Sequence, residues 1–463
     1  MLFSTVTMAL FAMGLILFAL ERRKQEREQF KRPPGPIPWP FIGNLLQMGE
    51  QLHICLTRLR DKYGDVFKVK MGSLVVVVLS GYDTIKQALV RQGESFAGRP
   101  DLFSFSAVAN GTSMTFSEKY GEAWILHKKI CKNALRTFSQ AKANNSMCSC
   151  LLEERICAEA SDLVNALSEH PDRARGFDPS VSLVTSVANV VCALCFGKRY
   201  EYSDKEFLNI VQINNEENIQ EHLNTFDKNC IRDITDALIA LSEDRYEEEK
   251  QSVLSSTQIV HTVIDIFGAG FDTIIAGLQW SLLYLIKFPD IQCKIYQEID
   301  DKIGSNRMPR FEDKPKMPFT EAFIYEVFRH SSYVPFTIPH CTTENIVLNG
   351  YFIPKDTCIF INQYQVNHDP ALWSRPKLFQ PERFLDASGQ LNKDLTDKVM
   401  IFGMGKRRCV GDGFARLEMF LFFTTLLHRL QISNVSGQEL DLTAEFGLTM
   451  KPKPYKIRVS PRY

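Results

Sequence analysis

One cysteine in this chain sits where its sulfur could do chemistry. The run Phe402-Gly403-Met404-Gly405-Lys406-Arg407-Arg408-Cys409-Val410-Gly411 is a loop of glycines and basic residues, and an apolar stretch of helical length follows from Phe414 to about Arg429. At a helix start the unpaired backbone N–H groups and the helix dipole favour a thiolate. Gly405 and Gly411 would let the backbone approach something flat and bulky. Phe402 can cover the sulfur, and Arg407 offers a fixed cation to a carboxylate. These are the requirements of a haem whose iron is held by a cysteine thiolate. On the loop alone, a buried and inert cysteine in a glycine-rich turn stays open.

A second constellation is Phe267-Gly268-Ala269-Gly270-Phe271-Asp272-Thr273, inside an apolar stretch from about Gln258 to Lys287. Each helical glycine costs about 1 kcal/mol relative to alanine, so something is expected to approach the backbone there. Asp272 and Thr273 put an acid beside an alcohol on that turn; a core helix with Thr273 bonded back to a carbonyl is the alternative. Glu326 and Arg329 are spaced i,i+3, as in a surface pair worth about 0.2–0.5 kcal/mol. Lys129, Lys132 and Arg136 form a cationic stripe at i, i+3, i+7, and Lys406 and Arg408 add charge to the cysteine loop. The stripe is either a docking face or a plain solvated one. Cys192 and Cys195 lack a second pair or a nearby histidine, so packing is the better reading than metal.

The elements that must hold these groups are mostly helical. Asp65 to Ser80 reads as a β-hairpin, and strand signals return over Asn345 to Phe360 with a turn at Asn349-Gly350. Residues 41–463 are expected to form one large, mainly α domain with a small β portion. No glycine-rich phosphate cradle follows a strand, so a bound flavin or nicotinamide is not expected.

Residues 1–20 carry no charge, and about 20 helical residues span a hydrocarbon core of about 30 Å. Basic residues follow the segment and none precede it, which predicts an anchor with the body in the cytosol. A cleaved signal peptide is the alternative, without a charged lead or a small-x-small site. Residues 21–40 make a basic, proline-rich linker, either a stiff spacer or a ligand for a proline-binding domain. In the cytosol the acceptor patterns at Asn110, Asn144 and Asn434 stay unmodified. With 54 Lys plus Arg against 54 Asp plus Glu, the chain lacks the cationic excess of a nucleic-acid binder. Twelve cysteines in 463 residues are too sparse for a disulfide scaffold.

The loop from Phe402 to Gly411 resembles the haem-binding signature of the cytochrome P450 family at every position. Glu326-Val327-Phe328-Arg329 resembles its Glu-x-x-Arg element, Pro381-Glu382-Arg383-Phe384 its later arginine element, and Asp272-Thr273 its acid–alcohol pair. The resemblance implies the family's helical fold, haem b with Cys409 as axial ligand, and protons delivered by Asp272 and Thr273 during oxygen activation. It implies a buried network of Glu326, Arg329 and Arg383 that serves folding. Trp124 and Lys128 fall where the family has Trp-x-x-x-Arg facing a haem propionate; lysine loses the bidentate geometry. His340 matches another propionate-facing position.

Arg329 to His340, Asn362-Gln363, Val366 to Pro370 and Gly268 to Thr273 resemble, more closely, the vertebrate aryl-hydrocarbon-hydroxylating group, family one. That implies planar apolar substrates: polycyclic aromatics and other xenobiotics, oestrogens or polyunsaturated fatty acids. Phe116, Phe271 and Ile338 would line the pocket beside Asp272 and Thr273. It also implies NADPH electrons arriving through a flavoprotein reductase docked on Lys129, Lys132 and Arg136, with a small b-type cytochrome as a further partner. The place would be the endoplasmic reticulum membrane, spanned once.

One stretch departs from the family. Gly268 lies only 71 positions after Gly197, several tens fewer than the pattern implies, with the gap near Asn215-Glu216-Glu217-Asn218, just before a helix expected over 219–229. In the family the missing stretch roofs the pocket. Either catalysis is impaired while haem binding survives, or neighbouring helices close over the pocket. A haem-thiolate isomerase or dehydratase acting on peroxides is a further alternative, against which Asp272-Thr273 speaks.

Overall fold

The computed structural model describes residues 30–109, 112–139, 141, 143, 148–201, 224–228, 231–249 and 254–463. The expected anchor, the first part of the basic linker (residues 21–29), Asn110, Asn144 and the junction near Asn215 lie outside them. Of the helix expected over 219–229, only 224–228 is described, and Phe226 to Lys228 are already non-helical.

The described residues form two compact units. The smaller comprises the chain up to Pro100, Ile338–Asn362 and Met404–Lys406. Helix α1 (Leu52–Tyr63) precedes strands β1 (Val66–Met71) and β2 (Leu74–Leu79), a hairpin pairing Val66 with Leu79 and Met71 with Leu74. The unbroken apolar run of β2 has a physical reason. It is an interior strand, taking β6 (Cys358–Ile361) in parallel on its other side, and Val76 to Leu79 are buried. Strand β3 (His340–Cys341) pairs antiparallel with β6. Strands β4 (Ile346–Leu348) and β5 (Tyr351–Ile353) join through Asn349-Gly350, whose φ values of 51° and 79° are those of a tight hairpin turn.

The larger unit comprises Asp101–Thr337, Gln363–Gly403 and Arg407–Tyr463. Its longer helices are α2 (Glu122–Ser139), α3 (Leu151–Ser168), α4 (Ser180–Phe196), α5 (Ile234–Glu249), α6 (Ser256–Lys287), α7 (Pro289–Lys302), α8 (Pro318–Ser331) and α9 (Asp412–Arg429). Short strands close the chain: β7 (Leu430–Asn434), paired with β10 (Ile457–Pro461), and β8 (Ala444–Glu445), paired with β9 (Lys451–Pro452).

Helix α6 starts two residues before the expected Gln258 because Ser255 and Gln258 cap it reciprocally. Ser255 Oγ accepts the Gln258 N–H at 3.2 Å, and Gln258 Oε1 accepts the Ser255 N–H at 2.9 Å. Among the described residues it is the helix long and apolar enough to cross a membrane, yet Ile274 to Leu278 and Trp280 to Ile286 are buried in protein. It packs on α4 and α9, and α9 packs in turn on α3. Cys192 and Cys195 are fully buried in α4, and burial pushes the Cys192 thiol up to about 12.

Candidate functional site

The cysteine loop is closed by its own backbone. Cys409 N–H donates to the Phe402 carbonyl at 3.0 Å, and Gly403 N–H donates to Gln363 Oε1 at 3.1 Å. Gly411 caps α9, and its N–H is directed at the Cys409 sulfur. A Cβ on Gly411 would come only to ordinary contact, 4.0 Å, with that Sγ. Cys409 is exposed by area but ringed by protein. That surrounding mass pushes its thiol above the ordinary range, with the Gly411 amide the main opposing influence. A coordinating metal ion would favour the thiolate there, because a coordinating thiol is deprotonated outright.

Gly405 has a different reason from the one expected. Its φ is +69° and a Cβ would fall 1.8 Å from the Leu89 carbonyl oxygen, so it serves protein packing in the smaller unit rather than approach to a flat group. Phe402 is half-buried, edge-on to Phe328 at 6.0 Å and 4.8 Å from the Arg416 guanidinium.

Arg407, Trp124 and Lys128 come together. Arg407 donates to the carbonyls of Met114 and Ser117, each at 3.0 Å, and lies 4.0 Å over the Trp124 ring. Trp124 Nε1 also donates to Met114 O, at 2.9 Å. Lys128 Nζ donates to the Arg408 carbonyl at 2.7 Å, turned onto the loop backbone. Burial brings Arg407 down to about 9. A guanidinium penalised in this way is relieved by an anion, so this donor set fits the carboxylate of a haem propionate.

His340 belongs to the smaller unit. It is buried, with Nδ1 bonded to the Phe96 carbonyl at 2.8 Å. Ile338 is half-buried there, and its carbonyl and that of Pro339 both accept from Arg99 at 3.0 Å.

On α6, Thr273 Oγ1 donates back to the Ala269 carbonyl at 2.8 Å. Asp272 is held from the far end of the chain. Lys451 Nζ lies 2.7 Å from one oxygen, and the Thr449 hydroxyl donates to the other. A Cβ on Gly268 would meet nothing within 4 Å, and one on Gly270 would touch Val191 at an ordinary 3.5 Å. No described protein atom thus accounts for these glycines, which leaves a backbone that a flat group could approach. Phe271 lies 5.7 Å from Phe267, and Phe116 lies 5.1 Å from Phe105.

Glu326 and Arg329 are not a surface pair; both are fully buried. Arg329 Nε and Nη2 donate to the two Glu326 oxygens at 2.7 and 2.9 Å. Arg383 Nε adds a bond at 3.1 Å and the Gln380 N–H one at 2.8 Å. Lys129, Lys132 and Arg136 are exposed on α2. Arg408 pairs with Asp412 at 2.6 Å, and Lys406 pairs with Glu94.

Sequence reasoning missed Thr449 and Lys451, which lie 177 and 179 positions from Asp272. It also missed Asp265, which accepts from Ser113 Oγ and the Thr115 N–H and whose carboxyl burial pushes up. No local pattern signals any of these contacts.

The cytochrome P450 family model matches residues 33–221 and 214–459. A cytochrome P450 1A1 of Canis lupus familiaris is 46% identical over 91% of this chain and 88% of its own length. Cytochrome P450 1A5 of Gallus gallus is 46% identical over 95% of this chain and 91% of its own. For cytochrome P450 1A1 of Sparus aurata, 44% identical, the comparison runs over 503 positions and takes in 100% of this chain and 96% of the relative. The chain belongs to the cytochrome P450 family, in its family 1 branch, and is a haem-thiolate monooxygenase supplied with NADPH electrons through a reductase.

Proposed function

We propose that Cys409 ligates the haem iron, that Arg407, Trp124 and Lys128 hold a propionate, and that the enzyme hydroxylates planar apolar molecules. The observation that carries this is the Cys409 amide bonded to Phe402 O, with the Gly411 amide directed at the sulfur from the start of α9. When bound, haem supplies the iron at which dioxygen is activated. The chain's own residues do the rest. Phe402 would help cover the sulfur from its side of the loop. Asp272 takes protons from solvent and passes them inward with Thr273. Phe116 and Phe271 offer aromatic faces on which substrates such as polycyclic hydrocarbons or oestrogens stack; polyunsaturated fatty acids would take the same surface.

Lys129, Lys132 and Arg136 would steer an acidic flavoprotein reductase, and a small b-type cytochrome could use the same stripe. Residues 1–20 would anchor the protein once in the endoplasmic reticulum membrane, with the domain cytosolic. Cys409→Ser tests the central assignment. The reduced carbon monoxide difference spectrum should lose its thiolate band, and an unchanged spectrum overturns the reading.

A second reading, a haem-binding form with impaired catalysis, is favoured by length. The 503-position comparison exceeds the 463 residues of the chain, and the family match divides at 214–221. With reductase, NADPH and the planar aryl ether ethoxyresorufin, turnover supports the first reading. Carbon monoxide binding without product supports the second.

A further inference from the structure

Thr449, in the bend just before β9, and Lys451, the first residue of that strand, lie two positions apart and converge on one side chain. Both donate to Asp272, one to each carboxylate oxygen. Met450 between them turns the other way and is 1% exposed. Its N–H donates to the Tyr333 carbonyl at 2.7 Å, and its carbonyl accepts from Trp280 Nε1 at 2.9 Å. Trp280 lies about two turns beyond Asp272 on α6. The helix thus fixes the segment leading into β9 through Trp280, and that segment returns two donors to the helix at Asp272.

We propose that Thr449 and Lys451 are positioning residues for Asp272, holding both oxygens of its carboxylate so that the β8–β9 hairpin sets where the relay acid points. This rests on the reading of Asp272 as that acid. Neither donor gives up its own proton. The Asp272 side chain is 30% exposed, so each proton it passes inward is replaced from water. Lys451 is 46% exposed, and a pair so wet adds little to stability. Its effect falls on orientation, on which proton transfer depends steeply.

The test uses the holoenzyme with reductase, NADPH and ethoxyresorufin, each variant first showing the parent's carbon monoxide spectrum. Three readouts are taken: product against hydrogen peroxide per NADPH, the solvent deuterium isotope effect, and amide exchange over residues 444–452 without substrate. Lys451→Met should divert electrons to peroxide by about three- to tenfold and raise the isotope effect. Exchange at 449–452 should quicken by about threefold, since a tether is lost. Thr449→Val should act in the same direction, and Lys451→Arg should restore most of the coupling. Asp272→Asn should exceed them all. If Asp272→Asn uncouples while Lys451→Met and Thr449→Val match the parent in all three readouts, the positioning role is wrong and the relay reading stands. If Asp272→Asn is itself silent, both fall.

Discussion

Two glutamates in the larger unit are fully buried, and they live in opposite electrostatic worlds. Glu326 on α8 has both oxygens bonded, by two arginines and a backbone amide. Glu418 on α9 is equally inaccessible, yet neither of its oxygens has a hydrogen-bond partner among the described residues. Burial alone acts on Glu418 and holds its carboxyl far above the usual carboxylate range. Glu326 is a lock made of charges, whereas Glu418 is a proton kept because nothing nearby would share the anion. Burial by itself therefore says little about what a carboxyl does; the donors around it decide.

The largest expected effect comes from breaking the lock. Arg329→Met leaves Glu326 with only Arg383 among its charged partners and should destabilise the fold by about 3–5 kcal/mol, read as a lowered urea midpoint and lost haem incorporation. A shift under about 1 kcal/mol would put Glu326 and Glu418 in one class.

Glu418→Gln sharpens the other side. The folded state holds a proton that the unfolded chain releases above about pH 4.3, so the contribution of Glu418 to stability is full below that pH and falls as pH rises. Relative to the glutamine variant, the parent should lose about 1.4 kcal/mol per pH unit until the folded carboxyl ionises. Melting temperatures of both proteins across roughly pH 5–8 give the difference, and parallel curves would mean a hidden partner for Glu418.

The smallest effect is expected at the half-exposed Asp272–Lys451 pair. Lys451→Met should change stability by no more than about 1 kcal/mol. A loss as large as that of Arg329→Met would make the pair a second lock.

Much of this was legible in the residues. The hairpin over Asp65 to Ser80 announced itself by a β-branched run, and α6 and α9 by long, mainly apolar stretches. The cysteine loop was legible because its chemistry is local: sulfur, glycine and helix start are contiguous in sequence. The partners of Asp272, Arg407 and Gly405 were not, since each is brought from a remote segment, as side chains for Asp272 and as backbone carbonyls for the other two. Glu418 hid inside a helix that reads simply as apolar. Its isolation is a property of the neighbours and leaves no mark in its own spacing.

The staple at Met450 bears on truncated gene products. A reading frame stopped just before that codon would do more than shorten a tail. It would bare the Trp280 indole, release the Gln279 carbonyl from the Tyr455 hydroxyl, and strip β7 of its partner strand β10. Quality-control proteases would meet an unravelled helix face rather than a slightly smaller enzyme.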